Sequence, residues 1–127
     1  MCELIFVGLG GFLGSCFRYL ITKFMGRFFP FFPCGTLISN ILAGFLIGFI
    51  IGVERQTSPL PNRAKLFLTT GLLGGLSTFS TFSIETVHMF ENGNIASAGI
   101  NILLNAGASI SFVILGLAFA KLLLLRI

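Results

Sequence analysis

Charged side chains are scarce in this sequence. Only 9% of its 127 residues are Asp, Glu, Lys or Arg, whereas 55% are hydrophobic. Roughly a quarter of the residues in soluble domains are charged, because the surfaces of these domains face water. The shortage of charge therefore excludes an ordinary soluble domain and indicates a membrane protein.

Residues typical of catalytic and metal centres are also few. The three cysteines, Cys2, Cys16 and Cys34, have neither Cys-x-x-Cys nor histidine-rich spacing, so we interpret them as small apolar packing residues. The single histidine, His88, has no second metal ligand at a useful spacing. No nucleophile–base pair stands out either. These absences argue against an enzyme.

Long hydrophobic runs take the place of these features. A helix needs about 20 residues to cross a hydrocarbon core of about 30 Å. Four segments are long enough, at roughly residues 4–24, 35–53, 66–90 and 95–125. We therefore predict an all-α membrane protein with four transmembrane helices. Residues 1–127 form a single domain in this prediction, since the short connections leave no room for a soluble one.

The distribution of the eight basic residues does not clearly favour one orientation of the chain in the membrane. Four spans place five of them on one side of the membrane: Arg55, Arg63, Lys65, Lys121 and Arg126. Two or three lie on the other side: Lys23, Arg27 and, if its side chain reaches outward, Arg18. Scattered cations of this kind indicate interfacial anchors and not a nucleic-acid surface. Either one orientation is narrowly preferred, or the chain inserts both ways and assembles as an antiparallel dimer.

The third hydrophobic segment contains an unusual polar stretch, Gly-Gly-Leu-Ser-Thr-Phe-Ser-Thr-Phe-Ser at residues 74–83. It combines two glycines, five hydroxyl side chains and two phenylalanines. Irregular backbone at membrane depth is tolerated only where protein or an aqueous cavity receives its polar groups. We therefore predict that the third helix is broken near its middle and that the break lines a pathway or binding site.

Polar and small residues also align along the other helices, because positions three and four apart share one helix face. Aligned residues of the first segment are Gly8, Gly11, Ser15 and Arg18. The second aligns Thr36 and Asn40 with Gly44, Gly48 and Gly52, and the fourth aligns Asn101, Asn105 and Ser109. The three glycines of the second segment predict close helix packing. The asparagines favour a lined pathway over isolated hydrogen-bonded clips.

Two ionisable residues fall within the hydrophobic segments. Such a group costs at least about 2.5–3.5 kcal/mol to insert, which makes it a functional hypothesis. We interpret Arg18 as an electrostatic attraction for an anion. For Glu85, a structural hydrogen bond and a functional role are equally open.

These groups favour an anion over a cation. Hydroxyl and amide groups donate hydrogen bonds, and no ring of acidic residues is available to bind a cation. Phenylalanine rings carry partial positive charge at their edges, so Phe79 and Phe82 can meet an anion edge-on. The residues thus predict passage of a small, strongly hydrated anion, whose identity stays open at this point.

The chain resembles the Fluc (CrcB) family of fluoride channels over essentially its whole length. The resemblance is carried by the four spans, by Gly-Thr-Leu-Ile-Ser-Asn at residues 35–40, and by the polar stretch at residues 74–83 followed by Glu85. It implies a dual-topology antiparallel homodimer with two fluoride pores. It also implies a structural sodium ion held by the backbone carbonyls of Gly74 and Ser77.

The resemblance further implies roles for individual side chains. Phe79 and Phe82 would contact fluoride through their ring edges, and Asn40 would be the pore asparagine. Arg18 would lie in the vestibule. Further polar groups along the pore would be Thr81, Ser83, Asn105 and Ser109. The sequence departs from the family on the fourth helix, where asparagines replace tyrosine or serine.

The implied function is passive, fluoride-selective export through the cell inner membrane, in contact with lipid. The main alternative is a small proton-coupled multidrug-type antiporter, which shares the size and the four spans. Such a transporter needs a protonatable carboxylate at the membrane centre, and Glu85 lies beyond the predicted break. A third possibility is an accessory membrane subunit with no transport of its own. Such a subunit would not need the aligned polar residues.

Overall fold

We describe residues 2–125 from a computed structural model; Met1, Arg126 and Ile127 lie outside the described residues, including the basic side chain predicted at Arg126. Every regular element in this range is helical. The elements in chain order are α1 (Cys2–Met25), α2 (Cys34–Glu54), α3 (Asn62–Lys65), π1 (Leu66–Leu73), α4 (Gly74–Leu76), α5 (Phe79–Glu91), α6 (Ile95–Leu103), π2 (Leu104–Ala108) and α7 (Ser109–Leu124).

Four helical stretches have the length and apolar composition needed to cross a membrane. Their bounds are Glu3–Met25, Cys34–Glu54, Asn62–Glu91 and Ile95–Leu124. The third span comprises α3, π1, α4 and α5, and the fourth comprises α6, π2 and α7. The predicted all-helical fold with four membrane-spanning segments is confirmed.

Proline and glycine set the boundaries between the spans. Pro33 precedes α2 and Pro61 precedes α3, at positions where the missing N–H of proline costs no helical hydrogen bond. Gly93 has a φ of 75° in the turn between the third and fourth spans. A side chain rarely adopts that conformation, so glycine suits the turn.

The second and fourth spans pack closely along a row of glycines. A Cβ atom at Gly44 would lie 2.8 Å from the Ser109 carbonyl oxygen, and one at Gly48 would overlap the Val113 carbonyl. Gly116 offers the reciprocal contact, because its Cβ would meet the backbone of Phe45. The predicted packing role of the glycines in the second span is confirmed, and it brings the polar residues of α2 beside those of the fourth span.

The first span packs against the first half of the third span through different glycines from those that align in the sequence. Gly10 and Gly14 are buried against the backbone of π1 and α4. A Cβ at Gly8 would touch nothing within 4 Å, and Gly11 has only the distant Gly71 carbonyl at 3.9 Å. Gly8, Gly11 and Ser15 instead line an open groove of about 800 Å³ on the outer face of α1.

Close backbone approach makes Gly48 sensitive to substitution. Gly48→Ala is expected to destabilise the protein by about 1–3 kcal/mol, because overpacking forces two backbones apart. The loss would be measured as a lower midpoint of thermal aggregation in detergent. Gly107→Ala is the matched control, since nothing lies within 4 Å of a Cβ at Gly107. Equal midpoints for the two variants would contradict the packing role.

Candidate functional site

The backbone of the third span leaves the helical conformation at two residues. Helix α4 ends at Leu76, and α5 begins at Phe79. Between them, Ser77 has φ −82° and ψ 146°, and Thr78 has φ −148° and ψ 121°, both extended. Thr78 then caps α5, because its hydroxyl oxygen accepts the Thr81 N–H at 3.2 Å.

Asn40 of α2 binds this extended segment through both ends of its amide. Its Oδ1 accepts the Thr78 N–H at 2.8 Å, and its Nδ2 lies 3.4 Å from the Thr78 carbonyl oxygen. A backbone N–H only donates, so this contact fixes which end of the amide faces Thr78. In a continuous helix the same N–H would reach the carbonyl of Gly74. Asn40 therefore removes the helical partner of the Gly74 carbonyl.

A chain of side-chain hydrogen bonds extends from Asn40 across the bundle. Asn40 donates to Asn105 Oδ1 at 2.9 Å, and Asn105 donates to Asn101 Oδ1 at 2.9 Å. Asn101 donates to the Thr86 hydroxyl at 2.9 Å, which in turn donates to the Phe82 carbonyl at 2.8 Å. Each group accepts from the previous one and donates to the next. We call this series the asparagine chain; it links α2, α5 and the fourth span.

The extended segment and the asparagine chain border a cavity of about 380 Å³, which we call the central cavity. Seven predicted site residues line it: Asn40, Gly74, Ser77, Phe79, Phe82, Asn105 and Ser109. The other described residues lining it are mostly apolar, and none is acidic. Polar donors and two aromatic rings thus meet in a mostly apolar space, as the sequence predicts for an anion path.

Phe79 and Phe82 form an aromatic pair at this cavity. Their ring centroids are 5.5 Å apart and their planes meet at 61°, an edge-to-face arrangement. Phe79 is 80% exposed, which is unusual for so large an apolar side chain within a membrane span unless lipid or another protein surface covers it. The pair therefore stands at the open side of the cavity.

Ser109 has an unused hydroxyl group. Its Oγ atom is buried and has no hydrogen-bond partner among residues 2–125. An unsatisfied buried hydroxyl costs roughly 1–3 kcal/mol. Because Ser109 also lines the central cavity, its hydroxyl is available to donate to an anion there.

Thr81 and Ser83 do not line the central cavity. The Thr81 hydroxyl lies 3.0 Å from that of Thr78 and accepts its hydrogen bond, while Ser83 donates to the Phe79 carbonyl at 2.8 Å. Both hydroxyls are thus hydrogen-bonded to groups of α5 or of the residue that caps it. Both residues lie on α5, but the sequence does not indicate that the Thr78 hydroxyl binds Thr81 or that a backbone carbonyl binds Ser83.

Arg18 and Glu85 lie apart from the central cavity and from each other. Arg18 Nε donates to the Gly75 carbonyl at 3.1 Å, beside the end of α4. Glu85 Oε1 accepts a hydrogen bond from the Thr36 hydroxyl at 2.7 Å. Glu85 also lines a second cavity, of about 410 Å³, with Cys34 and Met89. Among the described residues, Arg18 and Glu85 do not form an ion pair with each other.

Two buried groups of the asparagine chain were not predicted as site residues. Asn101 has no exposed surface, and Thr86 is 5% exposed. Asn101 precedes Asn105 by four residues and therefore shares its helix face, which was the available signal. Asn101 can meet any of several polar groups on α5, and the one that it binds depends on how α5 approaches α6. The spacing of residues along one helix does not specify this partner.

The described residues contain no cluster of His, Cys, Asp or Glu that fits a metal ion. The predicted sodium ligands are backbone carbonyls, and hard cations prefer oxygen ligands of this kind. Gly74 and Ser77 are both exposed at the break, and the Gly74 carbonyl has lost its helical donor to Asn40. These carbonyls fit a cation that a second set of oxygens would complete.

The fold and the site together define a small multi-pass membrane protein with a mostly apolar cavity, which holds a few polar donors, at an irregular point of its third span. A family model described as "CrcB-like protein, Camphor Resistance (CrcB)" matches residues 5–117. This match covers most of the chain, and the chain belongs to the CrcB family.

Curated relatives support the same assignment. The chain is 52% identical over 120 residues to a protein of Clostridium perfringens (strain ATCC 13124), covering 94% of each chain. It is 48% identical over 118 residues to a protein of Clostridium novyi, with 92% of each covered. A Paraburkholderia xenovorans protein is 39% identical over 121 residues, covering 95% of this chain and 96% of its own. Each is named "Fluoride-specific ion channel FluC".

Proposed function

We propose that this protein is a passive, fluoride-selective ion channel. The observation that carries the proposal is the central cavity, in which Asn40, Ser109 and the Phe79–Phe82 pair meet and no described lining residue is acidic. A small anion that sheds part of its hydration would exchange water for hydroxyl and amide donors and for positively polarised ring edges. The names of the relatives favour fluoride as that anion.

The working unit is an antiparallel homodimer of dual topology with two pores. Three features support this assembly. The cavity is open beside the exposed Phe79, the outer face of α1 carries an open groove lined by Gly8 and Gly11, and basic residues are spread over both ends of the spans. A second copy would cover the first two surfaces. In this unit, residues 1–127 act as one channel domain whose third helix is broken at Ser77 and Thr78.

A structural sodium ion is part of the proposal. It would be held by the Gly74 and Ser77 carbonyls of both copies, because a dimer supplies four oxygens where one chain supplies two. Arg18 donates to the carbonyl of Gly75, the residue that follows Gly74. When bound, the sodium adds fixed positive charge that favours anions nearby.

The physiological role would be export of fluoride from the cytoplasm across the inner membrane. A passive channel needs no coupling group and moves the ion down its own gradient. The antiporter alternative requires Glu85 to exchange protons, yet Glu85 is bonded to Thr36 and lies outside the central cavity. The channel therefore accounts for more of the polar residues than the antiporter does.

The decisive experiment is anion efflux from liposomes that contain the purified protein. Fluoride and chloride loss would be followed with ion-selective electrodes, with a potassium ionophore present to release the membrane potential. We expect rapid fluoride loss while chloride is retained, in wild type and at least partly in Glu85→Gln. Retention of both anions by a correctly folded protein would contradict the channel. Loss of all transport in Glu85→Gln alone would favour the antiporter.

A further inference from the structure

The basic side chains at the ends of the second and fourth spans lack the bonding partners that most other basic side chains among residues 2–125 have. Among residues 2–125, four cations have a partner within the chain: Arg18 on the Gly75 carbonyl, Lys23 over the Tyr19 ring, Arg63 over the Phe6 ring and Lys65 with Glu54. The described cations without a recorded side-chain partner are Arg27, Arg55 and Lys121. Two of these three, Arg55 and Lys121, line the same cleft.

This cleft, of about 400 Å³, joins the two cations to an apolar floor. Arg55 follows the last residue of α2, and Lys121 lies in the last turn of α7. Ile114, Leu117 and Ala118 of α7 line the side of the cleft toward the membrane interior. The arrangement combines positive charge at the level of the headgroups with an apolar surface along the hydrocarbon.

The side chains of Arg55 and Lys121 are not needed as hydrogen-bond donors to the carbonyl groups at the end of α2. The Arg55 N–H donates to the Ile51 carbonyl, and the Gln56 side-chain amide donates to the Gly52 carbonyl at 3.0 Å. The nearest carboxylate in the sequence, Glu54, is already held by Lys65 at 3.0 Å. Among residues 2–125, Arg55 and Lys121 therefore have no ion-pair partner.

We propose that this cleft binds an anionic phospholipid, with the phosphate between Arg55 and Lys121 and an acyl chain along Ile114 and Leu117. Basic pockets between transmembrane helices are suited to phosphate headgroups. The apolar floor favours a lipid over free phosphate, because burial of acyl methylene groups adds to the charge interaction. The site is separate from the central cavity and is independent of the transported ion.

The test measures retention of phosphatidylglycerol against phosphatidylcholine by native mass spectrometry of the purified protein. Each cation near a membrane surface contributes roughly fivefold in affinity. The double variant Arg55→Gln with Lys121→Gln should therefore lose about 25-fold in phosphatidylglycerol binding, while phosphatidylcholine binding is unchanged. Lys23→Gln with Arg27→Gln, at the other end of the spans, is the matched control with the same charge loss.

Three results of the lipid-retention measurement would overturn the lipid site. They are undiminished phosphatidylglycerol binding by the Arg55/Lys121 variant, equal loss in the Lys23/Arg27 variant, and wild-type binding of phosphatidylcholine as tight as that of phosphatidylglycerol. Competition by inorganic phosphate at equal concentration would also overturn it, since a free-anion site needs no apolar floor. Lys121→Arg retains the charge and should bind as wild type, which separates lost binding from misfolding.

A second inference comes from the asparagine chain and rests on the proposed function. We infer that Asn101 and Thr86 are positioning residues that control the central cavity without touching the ion. Neither residue lines that cavity. Thr86 donates to the carbonyl of Phe82, and Asn101 accepts from the Asn105 amide, which in turn accepts from Asn40. Removing the Asn101 amide takes one acceptor from Asn105, and removing the Thr86 hydroxyl takes a donor from the Phe82 carbonyl, so Asn105 and Phe82 each lose one contact that fixes their placement.

The test is a double-mutant cycle on fluoride efflux. Asn101→Leu and Thr86→Val should each reduce flux roughly tenfold, and the double variant should be no slower than the slower single one, because all three break the same series. Thr86→Ser keeps the hydroxyl and should restore flux to within about twofold. The ratio of fluoride to chloride flux is measured in parallel, since a change in folded fraction alone lowers both anions equally.

Multiplicative losses in the double variant, or an unchanged selectivity ratio in both single variants, would overturn the positioning role. Wild-type efflux distinguishes this failure from failure of the channel itself. If the wild type passes fluoride and the cycle is multiplicative, only the positioning role is wrong.

Discussion

Replacing Phe82 by isoleucine is expected to lower fluoride flux by up to about tenfold while leaving the protein folded. Isoleucine fills much of the same volume but has no positively polarised ring edge. An edge interaction with an aromatic ring contributes about 0.5–1.5 kcal/mol, and each 1.4 kcal/mol changes a rate about tenfold. Phe79→Ile should behave in the same way, because the two rings form one edge-to-face pair at the cavity.

The measurement is fluoride efflux from liposomes at matched protein density, with elution volume in detergent as the check on assembly. Phe90→Ile is the matched control, since Phe90 belongs to the same helix and does not line the central cavity. Flux equal to wild type in both Phe79→Ile and Phe82→Ile would remove the ring edges from the path.

The second large effect is expected from Asn40→Asp. A carboxylate in the central cavity would repel a fluoride about 5 Å away by roughly 3 kcal/mol at an effective dielectric constant near 20. The flux should therefore fall by about a hundredfold. The carboxylate would also face Asn105 Oδ1, which now accepts a hydrogen bond from the Asn40 amide, so two acceptors would oppose each other.

Asn94→Asp provides the charge-matched control for this variant. Asn94 is exposed, immediately precedes α6 and does not line the central cavity, and aspartate is tolerated at a helix start. Normal fluoride efflux in Asn40→Asp would exclude Asn40 from the ion path. Low efflux in both variants would attribute the effect to net charge and not to the cavity.

Much of the candidate site follows from sequence because its parts lie close together along the chain. The stretch at residues 74–83 contains the two phenylalanines and both residues predicted to hold sodium, Gly74 and Ser77, so composition alone draws attention to them. Asn40 and Asn105 can be predicted from the sequence because each lies in an apolar segment, where a buried amide needs a hydrogen-bond partner. Seven predicted residues accordingly line one cavity.

The remaining features depend on contacts between spans. Gly8 and Gly11 align with Ser15 and Arg18 in the sequence, yet Gly10 and Gly14 make the tightest contacts of α1 with the third span. The choice depends on the rotation of α1 about its axis, and two overlapping glycine patterns allow both rotations. Thr81 and Ser83 satisfy nearby groups on their own helix, an option open to any hydroxyl residue on a helix.

The sequence by itself determined the membrane environment, the four spans, the helix packing of the second span and the place where the third span becomes irregular. These properties depend on the hydrophobicity and spacing of residues within single segments. Only the tertiary structure decided that Asn40 takes the Thr78 N–H, that three asparagines and Thr86 form one directed series, and that Arg55 meets Lys121 in a cleft. Hydrogen bonds act over about 3 Å and in fixed directions. Their partners are therefore chosen by how the helices approach one another, which no spacing along one helix specifies.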